Sequence, residues 1–206
     1  MLCTAVPTWA QTPSGRWDGV IKLRGMDAPF TLILEGAGHA VTGSFVNGES
    51  RVSSTSGSFE NGTLRLRFPP AGASIEAILA GGELKGRYSS GAASHPLTAS
   101  AYCTCAYEGE AGPDISGGWE VPAAKWRLTL RRIGEDTLAI VERGEDRIGP
   151  LTGRFNGVSF ELKYFDGKRA AVLEAEPAKD GALGLAMKEP GVEPANHKAV
   201  RASGRK

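Results

Sequence analysis

With 206 residues, 41% of them hydrophobic, the chain can bury a sizeable core, which excludes wholesale disorder. A formal net charge of +1 removes any electrostatic reason to expect nucleic acid or an anionic membrane surface as a partner, and no run approaches the roughly 18 apolar residues of a spanning helix. The 28 glycines are scattered between short apolar runs, the distribution of a chain with many tight turns.

In chain order, the first residues read "MLCTAVPTWAQTPSG". Thr8 and Ala10 stand three and one positions before Gln11, where a signal peptidase needs small residues. Residues 1–10 are therefore expected to be the tail of a signal peptide, which points to a periplasmic or secreted protein. Cleavage there would remove Cys3 and leave Cys103 and Cys105 as an even pair. "SGRWDGVIKL" (Ser14 to Leu23) opens a series of short apolar or alternating segments, among them "FTLIL" (Phe30 to Leu34), "TLRLRF" (Thr63 to Phe68) and "SIEAIL" (Ser74 to Leu79). In "TLRLRF", Leu64, Leu66 and Phe68 alternate with Arg65 and Arg67, the period of a half-buried strand. Asn47-Gly48, Asn61-Gly62, Asn156-Gly157, Asp166-Gly167 and Asp180-Gly181 are pairs suited to tight hairpin turns of type I′.

A second series repeats the first. "SGGWEVPAAKWRLTL" (Ser116 to Leu130) restarts the Gly-x-Trp opening, and "SGSFENGTLRLRF" (Ser56 to Phe68) parallels "TGRFNGVSFELKYF" (Thr152 to Phe165). One copy spans about 14–107 and the other 115–203, with "EGEAGPD" (108–114) as a linker. Each copy offers seven or eight short strands joined by short turns. The expected fold is all-β: two tandem antiparallel up-and-down barrels of about eight strands each, with one larger barrel or sandwich as the alternative.

Candidate chemistry is sparse. In "AYCTCAY" (Ala101 to Tyr107), Cys103 and Cys105 share one face of an expected strand. They read as buried small side chains or, alternatively, as a strained and easily reduced Cys-x-Cys redox pair. His39, His95 and His197 have no metal spacing, and no metal or other cofactor is expected. "RGEDR" (Arg143 to Arg147) reads as a solvated hairpin turn, and the basic ending after Asn196 as a solvated tail. Trp17, Trp119 and Trp126 either cap packed cores or line barrel mouths that take a small apolar ligand, as avidin and lipocalin barrels do.

The Gly-x-Trp starts, "VTGSFVNG", "ELKGRY" and above all "YFDGKRAAVLEA" (Tyr164 to Ala175) give the chain after Gln11 a resemblance to a known family. It resembles the β-rich N-terminal region of exported TlpA-type thioredoxin-family disulfide reductases. The resemblance implies a thioredoxin-fold domain or envelope protein as partner. It transfers no catalytic residue, because the sequence contains no Cys-x-x-Cys. The expected role is that of a non-catalytic accessory or docking region in a thiol-disulfide system. The alternatives are a small-ligand barrel and a thiol oxidoreductase using Cys103 and Cys105.

Overall fold

The computed structural model describes residues 12–68, 72–102 and 112–202. All regular structure among them is β. The first unit contains β1 (Gly15–Leu23), β2 (Met26–Ala37), β3 (Ala40–Asn47), β4 (Ser50–Ser53), β5 (Ser56–Glu60), β6 (Thr63–Phe68), β7 (Ala73–Ala80), β8 (Glu83–Ser90) and β9 (Ala93–Ala101). The second contains β10 (Gly117–Val121), β11 (Trp126–Ile133), β12 (Asp136–Arg143), β13 (Asp146–Phe155), β14 (Phe160–Phe165), β15 (Ala170–Pro177), β16 (Leu183–Glu189) and β17 (Val192–Arg201). All pairings are antiparallel, and β10 to β17 close into an eight-stranded barrel. The first unit is a curled nine-stranded sheet of order β4-β3-β2-β1-β9-β8-β7-β6-β5. Each unit has its own apolar cluster, so the alternative of one larger barrel does not describe the chain.

The nine-stranded sheet is the barrel with one strand broken. In the second unit, β13 runs continuously and pairs with β12 on one side and β14 on the other. In the first, the matching segment splits into β4, which pairs with β3, and β5, which pairs with β6. The break is at Ser54 and Thr55. Ser54 donates its N–H to the Gly43 carbonyl at 2.7 Å, and Thr55 donates to Arg67 at 2.9 Å. Successive residues thus reach across to opposite edges of the curled sheet.

The repeat is visible in the backbone. Gly15 and Gly117 have φ of 130° and 124°, a conformation open to glycine, and each stands two residues before a buried tryptophan. Trp17 Nε1 donates to the Pro13 carbonyl at 2.7 Å and Trp119 Nε1 to Ile115 at 2.9 Å, the same bond four residues back. Both indoles bury their rings while satisfying their only polar atom.

The turns divide into two kinds. Asn61 and Gly62 have φ of 49° and 75° between Glu60 and its partner Thr63, as a type I′ turn requires. The other expected I′ turns differ. In the β3–β4 turn the central residues are Gly48 and Glu49, because Asn47 already pairs with Ser50. Asn156, Asp166 and Asp180 instead accept backbone N–H bonds with their side chains, Asp166 from Lys168 and Arg169 at 2.8 and 2.7 Å. Such loops are organised by a side-chain acceptor rather than by two left-handed residues.

The two units are joined by β14 and β15. Along β14, Phe160 and Leu162 point into the second core, and Tyr164 packs against it. Glu161, Lys163 and Phe165 therefore face outward. Phe165 is nevertheless 2% exposed, because it enters the core of the first unit. Its ring meets Phe45 edge-on at 4.8 Å and Tyr88 at 5.4 Å. It enters the end that carries the β1–β2, β3–β4 and β8–β9 turns, opposite Trp17. Buried Asn47 fixes the backbone there: its amide donates to the Phe165 carbonyl at 2.9 Å and accepts from the Phe165 N–H at 3.0 Å. Tyr88 donates its hydroxyl to the Gly167 carbonyl. Ala170 also belongs to the first core, while Ala171, Leu173 and Ala175 of the same strand belong to the second.

Truncating Phe165 leaves a cavity in a core of the other unit. Phe165→Ala is expected to lower unfolding stability by about 3–5 kcal/mol. Asn47→Ala strands two buried backbone groups and is expected to cost about 2–4 kcal/mol. Urea unfolding checks both; variants as stable as the parent would show that the joint contributes nothing to the fold.

Candidate functional site

The outward face of β14 is a ridge with a cleft on each side, and Glu161 borders both. The smaller cleft, of about 290 Å³, lies between β1 and β2 of the first unit and β13 and β14 of the second. Asp18 is its centre. Its Oδ1 accepts from the Thr31 hydroxyl at 2.5 Å and from Lys163 Nζ at 3.3 Å, and its Oδ2 lies 3.5 Å from Arg16. Arg16 in turn stacks on Tyr102 at 4.0 Å. Burial pushes the Asp18 carboxyl up, but the Lys163 ammonium, the Thr31 hydroxyl and the Arg16 guanidinium outweigh it and hold the group below the usual carboxylate range. On the opposite wall Arg154 binds Asp136 at 2.6 Å and Glu135 at 2.7 Å. Thr152 Oγ1 is buried there without a hydrogen-bond partner among the described residues.

The larger groove, of about 710 Å³, lies on the other side of the ridge. One wall is the β1–β2 hairpin, from Val20 to Pro29. The other is the outer face of β14 to β17, with Glu161, Val172, Glu174 and Lys188. The Gly191 N–H donates to the Arg24 carbonyl at 3.2 Å and ties the β16–β17 turn to that hairpin.

At the edge of the groove, where Glu189 lines it, an ion-pair network links three hairpin turns of the second barrel. Arg143 grips Glu189 with two bonds, at 2.5 and 3.0 Å, and reaches Asp146 at 2.9 Å. Arg169 holds the same Asp146 at 3.0 and 3.1 Å. Thus the "RGEDR" segment is more than a solvated turn: Arg143 and Asp146 bind it to the β14–β15 and β16–β17 turns. Asp146 is held below the usual carboxylate range first by its bonds to Arg169 and then by those to Arg143.

The residues singled out from the sequence lie elsewhere. Trp17 and Trp119 are 4% and 3% exposed, in separate cores. Trp126 is half-buried at the start of β11, with the His197 ring 4.7 Å away and Arg143 over its face at 5.5 Å. None of the three lines either cleft. Cys103 and Cys105 lie outside the described residues. His39 is in the β2–β3 turn, 2.6 Å from Glu60, and His95 Nδ1 is 3.1 Å from the Lys22 carbonyl. No group of three or more His, Cys, Asp or Glu is arranged to hold a metal among the described residues, and among them no helix is long and apolar enough to cross a membrane. Asp18, Glu161 and Lys163 were not singled out from the sequence. The signal that marks their surroundings is the adjacent pair Tyr164-Phe165, two large aromatics on opposite faces of one strand.

No protein-family model matches the chain, and no curated protein matches it.

Because the pKa of Asp18 is lowered in the folded chain, its contribution to stability depends on pH. Its stabilising effect is complete above the unfolded value of about 4 and is lost as pH falls through the lower, folded value. Asp18→Asn is therefore expected to unfold at a lower temperature than the parent at neutral pH, with the difference shrinking below about pH 4. Melting curves across pH check this; a difference that stays constant into acid would remove the Asp18–Lys163 pair as its cause.

Proposed function

We propose that this chain is a non-catalytic docking module of a thiol-disulfide system in the bacterial envelope, akin to the β-rich region that precedes the thioredoxin domain in TlpA-type reductases. The observation that carries the reading is the joint. Phe165 and Asn47 lock two filled β units into one body, and recognition is left to the clefts between them. The segment that carries the resemblance, Tyr164 to Ala175, is the segment that forms this joint. On this reading, the residues that carry the likeness are the ones that fix the geometry of the pair. Export is supported by Thr8 and Ala10 ahead of Gln11.

A ligand inside a barrel has less support. Leu128, Val141, Leu151, Phe160, Leu162 and Leu173 fill the second lumen, and the Trp17 and Trp119 rings are held inside by their own hydrogen bonds. Eight short strands leave an interior that side chains can occupy.

The test mixes the purified protein with a TlpA-type thioredoxin-fold reductase from the same envelope and reads binding by calorimetry. Saturable binding is expected, and no reduction of insulin by the protein alone above the dithiothreitol blank. Absence of binding would remove the docking role. Insulin reduction that falls on Cys105→Ala would replace it with thiol oxidoreductase activity.

A further inference from the structure

The larger groove combines an apolar surface with unequal charge. Val20, Met26 and Pro29 line the side formed by the first unit, and Val172, Val192 and Pro194 line the side formed by the second. Val172 is buried under the groove, while Val192 stands 58% exposed at its rim. Five carboxylates border it against two cations, Arg24 and Lys188. Three of the five already have partners. Asp27 pairs with Lys22, Glu174 with Lys188, and Glu189 with Arg143. Glu161 and Glu193 are exposed and make no ion pair among the described residues, and neither does exposed Arg24, so two carboxylates face one guanidinium and the unpaired charge of the groove is net negative. The two carboxylates stand on different strands, β14 and β17, on the same wall as Val172 and Val192. Uncompensated carboxylates beside apolar surface favour a ligand that brings both apolar contact and positive charge. A groove of about 710 Å³, walled by a hairpin on one side and four strands on the other, suits an extended chain.

We propose that this groove docks an extended, basic segment of a partner protein. Its apolar side chains lie against Met26, Pro29 and Val192, and its Lys or Arg side chains meet Glu161 and Glu193. The site does not depend on the partner's redox chemistry, so it stands or falls separately from the thiol-disulfide reading.

The probe is a fluorescein-labelled, end-capped peptide in which Lys alternates with Val, compared with the same peptide carrying Glu for Lys. Fluorescence anisotropy with the full chain is expected to show saturable binding of the Lys peptide, weakened by salt, and none of the Glu peptide. The double variant Glu161→Gln/Glu193→Gln should weaken binding by about tenfold, the scale of two rim charge pairs. Val192→Ser, an exposed change that leaves the fold intact, should weaken it severalfold. Glu83→Gln, at the β7–β8 turn on the opposite end of the first sheet, should leave it unchanged. No binding of the Lys peptide, equal binding by the double variant, or an equal loss in Glu83→Gln would overturn the proposal.

Discussion

One side chain does for this molecule what a linker could not. Phe165 belongs by sequence to the second barrel and by burial to the first core. Its ring sits among Phe30, Phe45 and Tyr88, and its backbone exchanges two hydrogen bonds with the buried amide of Asn47. The apolar contact supplies the energy of the joint, and the amide supplies its register. Asn47 offers one donor and one acceptor, and the Phe165 peptide groups offer the complement, so a shift of one residue would leave buried polar groups unpaired. The clefts on either side of β14 exist because that strand is held against the first unit at this position.

The joint also explains the distribution of charge. A strand buried on both faces cannot carry polar residues at every outward position. On β14 the outward row runs from exposed Glu161 through half-buried Lys163 to buried Phe165. Lys163 is the transition: it is close enough to the first unit to need a partner and finds it in Asp18 at 3.3 Å. The same gradient appears on β15, where Ala170 and Val172 are buried outward and Glu174 is not. Charge on these two strands is thus graded with distance from the joint, and the Asp18–Lys163 pair marks where one unit's surface meets the other's.

Much of the fold was legible in the sequence, and the reasons are local. The alternation in "TLRLRF" is β6 residue for residue, since a half-buried strand must place Leu64, Leu66 and Phe68 on one side. The Gly-x-Trp openings mark equivalent positions because each glycine adopts a backbone angle that other residues rarely take and each tryptophan bonds back to the carbonyl four residues before it. What was not legible depends on the partner surface. Asn47 beside Gly48 has the composition of a turn, and nothing local says that its side chain is spent on a residue far along the chain. The break between β4 and β5 follows from which neighbours Ser54 and Thr55 can reach. The clefts were missed for the same reason: Asp18 and Lys163 are ordinary strand residues until the two units are brought together. Tyr164-Phe165 and the unbroken apolar run "AAVL" carried the one available hint, two-sided burial in an otherwise alternating barrel.

The borrowed phenylalanine has a consequence for the order in which the chain is made. All nine strands of the first sheet precede β14, so a nascent chain holds the complete first unit before the residue that finishes its core has been synthesised. At ribosomal speeds of about 5–20 residues per second, that interval is on the order of seconds, long compared with hairpin formation. During it, Phe30, Phe45 and Tyr88 face an unfilled place. The first unit therefore lacks part of its core until the β14–β15 hairpin is made, whereas the second barrel closes only later, when β17 pairs with β10.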